Sequence, residues 1–252
     1  MPKVIIDVGH GGNDVGDIAY NRYEKDDNLR LALAVGEKLK NDYGFDVIYT
    51  RTRDTYLSQM ERVNIANMEG GDLLISIHRI IGELPTAGPR LSFYIDEWEG
   101  VSERVSNNIA SELQRLGFMT YSTEIRTDLP ILRATSMPSL MFAIGRLNSE
   151  EDNEYFDSHL DEIATALAEG IANTLSNNPT IANYHIQTDI YTNLNRAMEV
   201  QLNMYMKGYP AEITEVGEYF TLSIGEYNDI DEAAKVELCL RKEGYNTHII
   251  ST

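Results

Sequence analysis

Val4-Ile5-Ile6-Asp7-Val8-Gly9-His10-Gly11-Gly12 stands almost at the start of the chain. Three β-branched residues in a row read as a strand buried on both faces. In an open α/β sheet, ligands bind outside the carboxyl ends of strands. At that point a histidine stands among glycines, which let backbone and ligand approach closely. Residues 47–49, 73–77 and 140–144 are further short apolar runs, and helix-like segments cover 29–39, 56–68 and 101–116. Asn28 reads as the cap of the first helix, and Ser149 opens a segment that continues as one long helix to about Leu175. This alternation predicts an α/β fold with a mostly parallel sheet flanked by helices.

The chain has 252 residues, with 21 Lys+Arg against 40 Asp+Glu, for a net charge of −19. That balance argues against nucleic acid, whose phosphates need clustered cations, and against anionic lipid. No stretch approaches the ~18 consecutive apolar residues of a spanning helix, so no membrane insertion is expected. One cysteine, Cys239, excludes an internal disulfide and a Cys-rich zinc cluster. Cys239 is expected to be a small buried group on the last helix. The apolar run at Val4–Ile6 is too short for a secretory signal, so synthesis in the cytoplasm is expected, with any work outside the cell only after lysis or non-classical release. A plain cytosolic protein stays open at this point.

Ser176-Asn-Asn-Pro-Thr180 interrupts the helical periodicity and reads as a linker. An internal repeat follows: Tyr184-His-Ile-Gln matches Phe220-Thr-Leu-Ser, Ala197 matches Ala233, Leu202 matches Leu238, and Gly208-Tyr209 matches Gly244-Tyr245, all at one offset of 36. Each copy reads strand, helix, turn, strand. This gives a division into 1–176, a linker at 177–183, and a small βαβ–βαβ α+β domain at 184–252 with both helices on one face of its sheet. Strand alternation puts Tyr219, Thr221 and Gln187 on the outer face. That face is either solvated or a platform for a polar polymer such as glycan.

Two histidines and a glutamate stand near element ends: His10 after the first strand, His78 closing the run 73–77, and Glu24 before the first helix. A His₂Glu set can hold zinc with one position open. The same histidines could equally be satisfied separately.

With these residues in view, the first ~175 residues resemble zinc-dependent N-acetylmuramoyl-L-alanine amidases of the bacterial cell-wall type. The likeness rests on Ile5-Ile-Asp-Val-Gly-His-Gly-Gly-Asn-Asp14, Glu24-Lys-Asp-Asp-Asn-Leu29, Thr50-Arg-Thr-Arg-Asp54, Arg62-Val-Asn-Ile-Ala-Asn67 and Ser76-Ile-His78, in the family's order. The resemblance implies Zn²⁺ held by His10, Glu24 and His78. It implies hydrolysis of the amide between N-acetylmuramic acid and the L-alanine of the stem peptide, with a glutamate carrying the proton. The repeat resembles a sporulation-related (SPOR) domain, which implies binding to glycan strands stripped of stem peptides, with contacts at Gln187, Tyr219 and Thr221. The pairing of the two is similar to the mother-cell wall amidases of spore-forming bacteria. The implied partner is peptidoglycan, through both stem peptide and glycan strand, and a monomer is expected.

The family's glutamate falls in a segment that here reads Pro138-Ser-Leu-Met-Phe-Ala143-Ile-Gly145-Arg146-Leu-Asn148, and its position is Ala143. Val8, Ile80 and Arg146 also depart from the family's pattern, as does the loop that reads Gly88-Pro89-Arg90. Two readings follow: an amidase whose proton carrier lies elsewhere, with Glu150, Glu151 and Glu154 as candidates, or a catalytically weak, zinc-retaining pseudo-amidase that binds peptidoglycan.

Overall fold

The computed structural model describes residues 1–82, 89–97, 100–176, 184–227 and 230–251. In chain order the elements are β1 (Lys3–Val8), β2 (Ile18–Ala19), β3 (Arg22–Tyr23), α1 (Glu24–Tyr43), β4 (Asp46–Tyr49), α2 (Gln59–Glu69), β5 (Leu73–Ile80), β6 (Arg90–Ile95), α3 (Val101–Gln114), β7 (Met119–Ile125), α4 (Pro130–Arg133), β8 (Ser139–Arg146), α5 (Glu150–Ser158) and α6 (Leu160–Leu175). They continue with β9 (Tyr184–Thr188), α7 (Leu194–Met206), β10 (Ala211–Val216), β11 (Tyr219–Tyr227), α8 (Ile230–Lys242) and β12 (Thr247–Ser251).

Six strands form one sheet in the order β4-β1-β5-β8-β6-β7. β1 runs parallel to β4 and β5, β5 to β8, and β6 to β7, while β6 meets β8 antiparallel with Phe93 opposite Phe142. The sheet is mostly parallel, as the alternation implies. On one face Val4, Ile6, Val8, Ile75 and Ile77 pack under helical stripes of α1 (Leu31, Val35, Leu39), α3 (Val105, Ile109, Leu113) and α6 (Ile163, Leu167, Ile171). On the other, Ile5 and Leu74 meet Val63, Ala66, Ile131 and Leu132 of α2 and α4. Each buried Val, Leu or Ile side chain among them contributes roughly 1.5–3 kcal/mol relative to exposure. β6 and β7 have no continuous apolar run, which is why hydropathy alone does not announce them.

Three local expectations are corrected. Asn28 does not cap the first helix: α1 begins at Glu24, and Asn28 sits one turn inside, where its Nδ2 donates to Glu24 Oε1 and Gly9 O. The single helix expected to run on from Ser149 parts between Ser158 and Leu160. There His159 leaves helical dihedrals and stacks on Tyr155 at 4.0 Å. Cys239 is exposed, because the buried stripe of α8 runs through Ala233, Glu237 and Leu240.

The remaining strands form a second, antiparallel sheet, β10-β11-β9-β12. Ile186, Leu222, Ile224 and Ile249 build a separate core with Ala197, Val200 and Met204 of α7 and Ala233 and Leu240 of α8. The matched residues are conformational twins. Gly208 and Gly244 adopt φ of 89° and 91°, a left-handed turn that suits glycine. Tyr209 N–H donates to Met204 O, and Tyr245 N–H to Leu240 O. Leu202 and Leu238 do not join that core: Leu202 is exposed. The expected linker, 177–183, lies outside the described residues, as do Trp98 and most of the loop after β5.

Candidate metal centre

His10, Glu24 and His78 come together at the carboxyl ends of β1 and β5 and the start of α1, each offering an atom within 4.8 Å of the others. Glu24 is buried and bridges both rings: His10 Nε2 lies 3.0 Å from Oε2, and His78 Nδ1 lies 2.8 Å from Oε1. Burial alone would raise the Glu24 carboxyl, yet the hydrogen-bonded imidazoles hold it well below the usual carboxylate range. Burial lowers His10, but Glu24 and Asp14 outweigh it and leave the ring above its ordinary value. Ligands ~2.1 Å from one tetrahedral ion stand roughly 3.4 Å apart, so small adjustments would let this cluster close on a cation. The neutral-nitrogen and carboxylate donor set is one that zinc takes.

A second layer holds the first in place. Asp14 Oδ1 lies 2.9 Å from His10 Nδ1, which leaves Nε2 to face Glu24. Arg62 donates to Val8 O and His10 O, and Arg51 donates to Val8 O, Gly9 O and Lys25 O. These buried guanidiniums satisfy the carbonyls of a loop in which His10 adopts φ 59°. Asp7, buried in β1, accepts from Thr50, Arg62 and Ser76. A Cβ on Gly9 would lie 2.4 Å from the His78 ring, so only glycine fits there. These supports are missed when only the ligand types are sought; the i, i+4 spacing of His10 and Asp14 is the one local signal.

Ala143 lies in β8 directly opposite His78 in β5, with Ser92 of β6 on its other side. Paired residues on adjacent strands share a face about 5 Å apart. The position therefore borders the cluster, and its side chain is a buried methyl. Glu150, Glu151 and Glu154 are exposed on α5, outside the cluster. Arg146 turns inward, donating from its backbone N–H and guanidinium to Asp152. Arg79 is buried too, donating to Gly145 O and Asn153 and pairing with Asp27, with its guanidinium 4.3 Å from the Phe156 ring centre.

The outer face of the second sheet is not simply solvated. Thr221 is buried and donates to Thr188 O. Gln187 Oε1 accepts from Gln114 of α3 at 3.4 Å and lies 3.1 Å from His248 Nε2. Tyr219 is half-buried. The strand alternation is correct here. The face is covered because α3 and the turn after it lie against β12.

Residues 4–173 match the N-acetylmuramoyl-L-alanine amidase family. The chain is 31% identical over 218 residues to the N-acetylmuramoyl-L-alanine amidase CwlM of Bacillus licheniformis, covering 84% of both proteins. It is 29% identical over 216 residues to the sporulation-specific N-acetylmuramoyl-L-alanine amidase of Bacillus subtilis, covering 83% of each. Among solved structures it resembles the catalytic domain of the amidase CwlV from Bacillus (Paenibacillus) polymyxa var. colistinus, with a TM-score of 0.61 and 28% identity over 69% of this chain and 98% of that one. Sheet order, the clustered His-Glu-His set and these likenesses agree, and the chain belongs to the N-acetylmuramoyl-L-alanine amidase family.

Proposed function

We propose that this protein is a zinc-binding member of the peptidoglycan amidases that engages the amide between N-acetylmuramic acid and the L-alanine of the stem peptide, and that it cleaves this bond weakly. The observation that carries the reading is the pairing of His78 with Ala143 beside an intact ligand cluster. His10, Glu24 and His78 would hold the ion, and Asp14 would fix the His10 ring. When bound, zinc supplies Lewis-acid polarisation of a carbonyl and acidifies a water. Cleaving an amide also requires a proton on the leaving amine, and the methyl of Ala143 can neither accept nor donate one. General acid–base catalysis contributes typically ~10²–10⁴-fold, so its loss leaves binding largely intact and turnover slow. The test is cleavage of muramoyl-peptides alongside their equilibrium binding, with measured zinc content. Binding with turnover far below ~1 s⁻¹ supports the reading; turnover at or above that rate, typical of enzymes, overturns it.

The competing reading is an active amidase with its proton carrier elsewhere, and Asp17 favours it. Asp17 N–H donates to Glu24 Oε2 at 3.0 Å, and its carbonyl accepts from Glu24 N–H at 3.0 Å, so an exposed carboxylate is tethered at the cluster. Loss of turnover in Asp17→Asn with zinc retained would select this reading.

Residues 184–252 are proposed to be a SPOR-like unit, joined by 177–183 to the amidase unit 1–176, that binds stripped glycan through Gln187, Tyr219 and Thr221. Support comes from the repeated turns, and from a likeness to CwlM covering 84% of this chain, which carries it past residue 173. The proposed setting is the cell wall after lysis or non-classical release, as a monomer, in wall turnover of the sporulation kind.

A further inference from the structure

The three proposed glycan positions all face the amidase part of the same chain. Gln187, Tyr219 and Thr221 line a crevice closed on its far side by Gln114, Gly117, Phe118 and Met119. Its volume is about 60 Å³. That is room for about two waters, at ~30 Å³ each, against the ~300–1,000 Å³ of sites that take small organic ligands. A glycan strand cannot engage all three side chains together while the crevice is closed, since Thr221 is buried and Gln187 is bonded to Gln114. The closure is a packed contact. His248 and Ile250 of β12 are buried on the face turned toward α3, and Gln187 spends its carbonyl oxygen on Gln114 and His248. Across the same contact Arg241 of α8 lies 3.5 Å from Glu103 of α3 and also pairs with the buried Glu237.

We infer that the amidase part holds the C-terminal sheet in a self-inhibited position, and that glycan and α3 compete for one face of that sheet. This rests on the glycan-binding reading above. Docking is then a switch in the strict sense: a ligand that binds only the undocked form shifts the population toward it, and its apparent affinity falls by the fraction undocked. The contact is made to be exchangeable. Its polar side chains include amides, which can trade one hydrogen-bond partner for a sugar hydroxyl at little net cost.

The experiment uses the full chain and changes only the amidase side, so the glycan face stays intact. Gln114→Arg places a longer cation beside Gln187 and His248, and Glu103→Ala removes the carboxylate that Arg241 faces across the contact. The double variant is expected to bind peptidoglycan glycan strands stripped of stem peptides at least tenfold more tightly than wild type. Small-angle X-ray scattering should give it a larger radius of gyration, and saturating wild type with the same strands should enlarge wild type too. If wild type binds as tightly as the variant, or binds without any change in radius, the self-inhibition is wrong and the glycan reading stands. If the enlarged variant binds no glycan at all, the glycan reading itself falls, and this inference with it.

Discussion

Ala143 concentrates the chemical question in one side chain. Its Cβ points to the side of the sheet that carries His78, at the spacing of paired strands. Ala143→Glu would restore a carboxylate beside the cluster. Muramoyl-peptide cleavage by this variant is expected to exceed wild type by about 10²-fold at matched zinc content. An equal rate in the two proteins would mean that proton transfer is already served elsewhere. Gly9 poses the opposite case, a position where any side chain does harm. A methyl there would meet the His78 imidazole at 2.4–2.8 Å and push it from Glu24. Gly9→Ala is expected to lose zinc affinity by at least tenfold, a loss on the scale seen when a ligand's supports are disturbed, as read by metal titration.

At the scale of elements, the loop after β1 is held by what β1 and α2 exchange. Asp7 and Arg62 form an ion pair at 2.9 Å with both side chains buried. Cutting one partner of such a pair leaves a buried charge without compensation and typically costs 3–5 kcal/mol. Arg62→Met should therefore lower the urea midpoint by an amount equivalent to about 3 kcal/mol. It should also loosen His10, whose carbonyl loses its donor. In α8 and β12, two groups are displaced in opposite directions. Burial pushes the Glu237 carboxyl up to about 8, with Arg241 opposing and Glu103 adding to the rise. Burial pushes the His248 imidazole down to about 3, helped by Arg241 and His185. Glu237 binds its proton more tightly when folded, so its contribution is complete below about 4.5 and is lost as pH rises toward 8. His248 binds its proton less tightly when folded, so its contribution is complete above about 6.5 and is lost as pH falls toward 3. The two slopes oppose each other between about 4.5 and 6.5. The joint contribution of these two groups is thus expected to be flat there and to fall from pH 6.5 to 8, by up to ~1.4 kcal/mol per unit for one proton. Glu237→Gln should flatten the alkaline limb in denaturant titrations at stepped pH.

For the whole molecule, the proposed metal site draws its ligands from three distant stretches of chain. His10 follows β1, Glu24 opens α1 and His78 ends in β5, so an ion held by all three would stabilise only the folded form. At 100-fold excess over its dissociation constant, zinc held there would add ~2.7 kcal/mol. For a chain of this size that corresponds to a melting temperature lower by ~5–10 °C after chelation. Scanning calorimetry with and without chelator checks it, and His10→Ala should show no difference between the two.

The apolar run at Val4 to Ile6, with its counterparts at 73–77 and 140–144, was enough to place the parallel core, because strands buried on both faces must be continuously apolar. The repeat was legible for a similar reason: Gly208 and Gly244 must each adopt a left-handed turn that few residues but glycine accept readily. His10, Glu24 and His78 were legible as residue types, but 54 residues separate Glu24 from His78, and only strand order brings them to one point. The parity of Gln187 and Tyr219 was likewise readable from alternation. What covers that face was not, since burial against α3 depends on how two distinct hydrophobic cores meet. Arg62, Arg51 and Asp7 stand in the sequence within the stretches that carry the family resemblance, with nothing to assign them a role. Only the packed structure, which leaves the carbonyls of Val8, Gly9 and His10 in need of donors, decides that they are buried supports of the site.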